Sequence, residues 1–257
     1  MIWFNGIYTE NTECLSVFDK ANIGLSVFTS ILARQDQLVW GKEHIDRLYR
    51  HAEKMEIKVP YDKEEIASAA EILLENTKFE FSAIRIQVSA GVGGRGIDYP
   101  GHATVFITCT ETGNPEMVQP VSVKIEKEYR RNETDPLSGV KSGAYGSSAL
   151  CRRKAKREGY DDVILLNTKD HVACAVTANV FIEKDGVLLT PPLTDGVMDG
   201  IARSKLIKHH SVQELSLKED DLLTADYIWL SNSFGLRGVN AIENQQKPIK
   251  SLKFDWV

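Results

Sequence analysis

The stretch ETGNPEMVQP (111–120) packs Gly113, Asn114, Pro115 and Pro120 into a short space, a composition that the interior of a strand or helix does not tolerate. On either side lie strand and helix patterns. The 257-residue chain is long enough for two cores, so the pattern predicts two domains of α/β (α+β) class. These are a domain at 1–112, a linker at 113–120 and a domain at 121–257.

Before the linker, MIWFNGIYT reads as short strands, and GLSVFTSILA and QLVW flank a polar turn at RQDQ, a hairpin signal. Two amphipathic helices follow. Ile45, Leu48, Tyr49, Ala52 and Met55 recur at helical spacing in KEHIDRLYRHAEKM, as do Ile66, Ala69, Ala70, Leu73 and Leu74 in KEEIASAAEILLENT. In FSAIRIQVSAG, Ile84, Ile86 and Val88 alternate with Arg85, Gln87 and Ser89, so one face enters a core and the other meets something polar. ATVFITCT is the next strand. Beyond the linker, VSVKIEKEY, DDVILLN, VACAVTANVF, GVLLTPP and YIWLSNS read as strands. SSALCRRKAKREG, closed by Gly159, and GVMDGIARSKLIKHH read as helices.

A net charge of −5 with 26% charged residues gives no general attraction for phosphate backbones, which argues against nucleic acid as a partner. No apolar stretch approaches the roughly 20 residues of a membrane span. The start MIWFNGIYTEN lacks a signal peptide's basic and apolar regions, so no membrane association and a cytoplasmic location are expected. Cys14, Cys109, Cys151 and Cys174 form no CxxC pair and the histidines show no ligand spacing; no metal is expected. GVGGRG (91–96) satisfies G-x-G-x-x-G, but Pro100 argues against the helix that would receive a pyrophosphate. The competing readings are a glycine-rich turn and an active-site loop carrying Arg95. The basic run CRRKAKRE reads as one solvated helix face. There is no GxSxG, HExxH or P-loop.

GVKSGAYGSS places Lys141 between a strand and a helix, among Gly139, Gly143 and Gly146. A partly desolvated lysine amine is a useful nucleophile, and glycines let a planar partner approach the backbone. In chain order, FNG, GLSVFTSI, EHIDRL, IRIQVSAGVGGRG, GVKSGAY, KREGYDDVILLN, TANVF, LLTPPLTDGVMDGIAR and WLSNS together resemble the class IV pyridoxal-phosphate enzymes. That family includes the branched-chain and D-amino-acid aminotransferases and aminodeoxychorismate lyase.

The resemblance implies a smaller N-terminal α/β sandwich and a larger C-terminal pseudo-barrel that binds pyridoxal 5'-phosphate. It makes Lys141 the Schiff-base lysine and proton shuttle, and Arg47 the arginine on the coenzyme phosphate. It offers the N–H groups of Ile201 and Ala202 in GIAR, and the Ser233 hydroxyl, to the same phosphate. The family often has threonine at Ala202. Tyr145 matches an active-site aromatic, and Thr177 and Asn179 fit the turn beside the coenzyme. For the substrate, Arg85 or Arg95 could pair with a carboxylate, with Thr29 of FTS nearby. A homodimer is implied.

Cys174 departs from the pattern, because the family carries at that position a glutamate that keeps the pyridine nitrogen protonated. A neutral thiol cannot stabilise a pyridinium by charge. The leading reading is amino-group transfer between an amino acid and a 2-keto acid. One alternative is aminodeoxychorismate lyase, which releases 4-aminobenzoate and pyruvate. The other is a coenzyme-binding member with weak or no transaminase activity.

Overall fold

The computed structural model describes residues 1–257 except 100, 255 and 257; Pro100 thus lies outside the described residues. The chain divides into two compact units, Met1–Gly113 with Val140–Tyr145, and Asn114–Gly139 with Gly146–Trp256. The segment around Lys141 therefore belongs with the first unit, although its neighbours on both sides belong with the second.

In the first unit, β1 (Ile2–Phe4), β2 (Ile7–Thr9), β3 (Ser26–Arg34), β4 (Gln37–Leu38), β5 (Phe81–Ser89) and β6 (Thr104–Glu111) pair in the order β2-β1-β6-β5-β3-β4. Every pairing is antiparallel among the described residues. The β3–β4 hairpin turns on Gln35 and Asp36, with Arg34 opposite Gln37. Helices α1 (Gly41–Lys54) and α2 (Lys63–Glu75) lie between β4 and β5 in sequence. A capping box fixes the start of α2, where Asp62 accepts from Glu65 N and Glu65 accepts from Asp62 N. The helices bury Ile45, Leu48, Ile66, Leu73 and Leu74, and the sheet buries Ile31, Ile84, Ile86 and Ile107. Arg47 is as buried as these aliphatic residues.

The second unit contains β7 (Val121–Arg131), α3 (Gly146–Arg157), β8 (Asp162–Asn167), β9 (Val172–Ala175), β10 (Asn179–Lys184), β11 (Val187–Thr190), α4 (Ile201–His209), β12 (Val212–Glu214), α5 (Glu219–Thr224), β13 (Tyr227–Asn232), β14 (Gly235–Ile242) and β15 (Gln245–Gln246). Its strands follow the order β12-β11-β10-β13-β14-β7-β8-β9, with β15 beside β14. In that order β9 and β10 are separated by five strand spacings, roughly 24 Å if the sheet were flat. The step from Ala175 to Asn179 can span only about 14 Å. The sheet must therefore curl into a half-barrel, and its core is formed by Val123, Ile125, Ile164, Val180, Ile182 and Leu230 among others.

Two expectations are corrected here. VACAVTANVF is not one strand: Cys174 pairs with Leu165 of β8, whereas Asn179 pairs with Ser231 of β13, and Val176–Ala178 bend between them. The chain changes partners at Thr177, so a polar residue there interrupts no ladder. The helix expected over 196–210 begins only at Ile201. Gly196 adopts a left-handed φ of 80° that closes a preceding short turn, and Asn179 Nδ2 donates to Met198 O at 2.9 Å, keeping the approach to α4 extended. The basic face of α3 is exposed as expected at Arg153, Lys154, Lys156 and Arg157.

Candidate active site

Within the first unit, Phe28 on β3 gathers several of the expected residues. Lys141 Nζ lies 4.4 Å and Arg85 Cζ 4.0 Å from the centroid of its ring. The Tyr145 ring centroid is 5.5 Å from it, and Lys141 Nζ is 5.8 Å from the Tyr145 ring. The negative faces of these rings favour the cations. Arg85 is oriented by Gln87, two positions along the same face of β5, whose Oε1 accepts from its Nη2 at 2.8 Å and its Nε at 3.2 Å. Burial pushes the Arg85 guanidinium below its usual range. Such a group gains from an anionic partner that restores what desolvation removed.

Alternation along β3 turns Thr29 to the other face. There its Oγ1 lies 2.8 Å from His44 Nδ1 and accepts from Arg47 Nη2 at 3.1 Å. Thr29 thus joins Arg47 rather than the Lys141 group. Arg95 stays exposed on its loop, which is fastened from below by the buried Lys20, whose Nζ donates to Gly94 O at 2.9 Å and Gly96 O at 2.7 Å. A Cβ on Gly91, with φ of 90°, would lie 1.6 Å from His102 O. That glycine serves a close backbone approach, and no helix follows the motif among the described residues.

Within the second unit, Cys174 is buried on β9 and Arg131 Nη1 lies 3.7 Å from its Sγ. Thr177 donates its hydroxyl to Asp162 Oδ2. Asp162 has no exposed surface, and Arg237 Nη2 and Arg152 Nε stand 3.8 and 3.9 Å from its oxygens. Burial lowers the Arg237 guanidinium, with the Asp162 charge opposing the shift. Asn232 Nδ2 donates to Thr177 O at 3.1 Å and so ties the bend to the turn that carries Ser233.

The start of α4 has an open donor end. Its first internal bond runs from Ser204 N to Gly200 O at 3.0 Å, no side chain caps it and its first turn holds no acid. The N–H groups of Ile201, Ala202 and Arg203 are left outside the helix's own ladder, which suits an anion. Gly200 permits this turn, since a Cβ there would lie 2.1 Å from Asn179 Oδ1. Ala202 is buried and supplies no hydroxyl.

Sequence reasoning missed His44, His51, Phe28, Arg131 and Asp162. For the histidines a signal existed, because His44, Arg47 and His51 share one face of α1 at spacings of three and four and all are buried. For Arg131 and Asp162 none did, because strand pairing alone brings them to Cys174 and Thr177.

The class IV amino-transferase family profile matches residues 26–242. A Methanocaldococcus jannaschii protein classed among the branched-chain-amino-acid aminotransferases is 32% identical over 243 residues, covering 90% of this chain and 84% of the relative. The aminodeoxychorismate lyase of Bacillus subtilis is 28% identical, covering 91% and 83%. Among solved structures, the branched-chain aminotransferase of Thermoproteus uzoniensis with norvaline superposes with a TM-score of 0.90 at 26% identity, covering 97% and 89%. The chain belongs to the class IV aminotransferase family and is an enzyme whose coenzyme is pyridoxal phosphate. Taken one unit at a time, the donors suit such a group: in the first, the buried Arg47 guanidinium matches a phosphate dianion and Lys141 offers an amine, and in the second, the open start of α4 matches an anion.

Proposed function

We propose, with membership of that family as the premise, that Lys141 carries the covalent attachment in amino-group transfer between an amino acid and a 2-keto acid. The observation that carries the reading is the gathering of Lys141, Tyr145 and Arg85 around Phe28. When bound, the coenzyme supplies an aldehyde that condenses with amines and a conjugated ring that draws electrons from the substrate α-carbon. Lys141 Nζ then moves the proton at that carbon. Arg47, the N–H groups of Ile201 and Ala202, and the Ser233 hydroxyl hold the phosphate. Arg85, or Arg95 from its loop, pairs with a substrate carboxylate, and the Phe28 and Tyr145 rings shield the amine from water. Thr177 and Asn179 shape the backbone beside the coenzyme, and Cys174 lies where the family has its glutamate. The names of the relatives favour branched-chain amino acids as donors.

Borohydride reduction of the pyridoxal-phosphate-loaded protein followed by peptide mapping tests the reading. Label on Lys141 supports it, and label on another lysine or none overturns it. A second reading, aminodeoxychorismate lyase, is favoured by the Bacillus subtilis relative and by the FTS (28–30) and GGRG (93–96) segments. Release of 4-aminobenzoate from aminodeoxychorismate would select it.

A homodimer is also part of this proposal. Exposed Val17, Phe18, Val92 and Ile97 form apolar surface on the first unit, where Gly93 N donates to Phe18 O and brings the two segments together. A monomer by light scattering at working concentration would contradict it. No helix among the described residues is long and apolar enough to cross a membrane; a cytoplasmic location is proposed with it, to be checked by cell fractionation.

A further inference from the structure

Lys141 is held by its main chain at both polar atoms. Its carbonyl accepts from Phe28 N at 3.0 Å. Its amide donates to Nδ1 of His51 at 3.1 Å. A backbone N–H can only donate, so Nδ1 is the acceptor. His51 is therefore an uncharged ring with its proton on Nε2, a tautomer dictated by its partner.

The placement of this histidine is unusual for a helix that covers a sheet. His51 is 7% exposed and sits one turn beyond Arg47 on the buried face of α1, where an amphipathic helix ordinarily carries aliphatic residues. An aliphatic residue at this position would leave the Lys141 N–H without this acceptor. The carbonyl contact and a second bond, from Gly143 N to Ser26 O at 2.7 Å, together form an antiparallel bridge between Val27 and Ser142. Both bonds hold the C-terminal side of the Lys141 φ bond, and the contact with His51 holds its N-terminal side. That torsion swings the side chain and with it Nζ.

We propose that His51 is the positioning residue for the reactive lysine: as a neutral acceptor it fixes the Lys141 main chain and hence the arc over which Nζ reaches the coenzyme aldehyde. The inference rests on Lys141 being the attachment point.

The test uses the full-length protein with pyridoxal phosphate as wild type, His51→Leu and His51→Asn. Asparagine keeps an acceptor oxygen close to the place of Nδ1; leucine does not. In the leucine variant the visible absorbance band of the bound coenzyme shifts and the fraction of Lys141 labelled after borohydride falls. The coenzyme concentration for half-saturation rises about tenfold, equivalent to about 1.4 kcal/mol and within the cost of a buried unpaired N–H. The asparagine variant recovers most of each change. Independently of any variant, nitrogen NMR of histidine-labelled wild-type protein shows His51 with a bare Nδ1 and a protonated Nε2. A folded leucine variant with wild-type band, labelling and half-saturation overturns the proposal. So does an asparagine variant that folds yet behaves like leucine, or a proton found on Nδ1. Absence of label from Lys141 in the wild type has a different meaning, because it removes the reading of the lysine itself.

Discussion

Arg131 Nη1 lies 3.7 Å from the sulfur of Cys174, so a guanidinium faces the residue proposed to stand in place of the family's glutamate. Replacing Cys174 by glutamate sets a carboxylate within reach of Arg131 and restores a charge that favours a protonated pyridine nitrogen. Cys174→Glu is expected to raise the rate of amino-group transfer about tenfold, roughly 1.4 kcal/mol of barrier. Steady-state turnover with saturating coenzyme checks this. An unchanged rate would show that position 174 does not limit the reaction.

Asp162 receives the Thr177 hydroxyl and faces Arg237 and Arg152 from a fully buried position. Asp162→Ala leaves Arg237 partly desolvated without its carboxylate, and removing one partner of such a pair costs about 3 kcal/mol. Denaturant unfolding should show that loss of stability, with Thr177→Val costing less, about 1 kcal/mol. Equal effects would mean that the arginines contribute nothing to the role of Asp162.

A Cβ on Gly200 would lie 2.1 Å from Asn179 Oδ1, so a side chain there forces a shift. Gly200→Ala must displace either Asn179 or the start of α4, at a cost of about 1–3 kcal/mol. Titration with pyridoxal phosphate should show weaker coenzyme binding than in the wild type. Wild-type affinity would detach the start of α4 from phosphate binding.

The carboxyl of Asp46 is pulled down to about 2 by hydrogen bonds from Lys42 and Lys63. A folded-state pKa below the ordinary carboxylate value contributes stability that is complete above that ordinary value, near 4, and lost as the pH falls through about 2. Solvent screening limits the contribution to about 1 kcal/mol or less. The stability difference between wild type and Asp46→Asn should therefore shrink between about pH 5 and pH 2. A difference that stays constant over that range refutes the assignment.

Much of the fold was legible because its periodicities are clean. Ile84, Ile86 and Val88 alternate toward the core of the first sheet, and Ile66, Ala69, Ala70, Leu73 and Leu74 line one buried face of α2. The break inside VACAVTANVF was not legible, since a continuous apolar run looks the same whether it keeps one strand partner or exchanges β8 for β13. β14 escaped for the opposite reason: half-buried Arg237, Gly238 and Asn240 dilute its pattern, and its strand character comes from pairing with β13 and β7. Motif order named Lys141 and Arg47 as candidates, but the acceptor at His51 depends on a contact between segments 90 residues apart, which no local pattern records.

The membership of Val140–Tyr145 in the first unit has a consequence for dissecting this enzyme. A chimera spliced to a relative at Gly113 would carry Lys141 in from the donor's half of the gene. That residue would have to dock on a Phe28 and a His51 inherited from the other parent. Recombination that respects the physical boundary needs three crossovers, one near Gly113 and one on each side of the six-residue lysine segment.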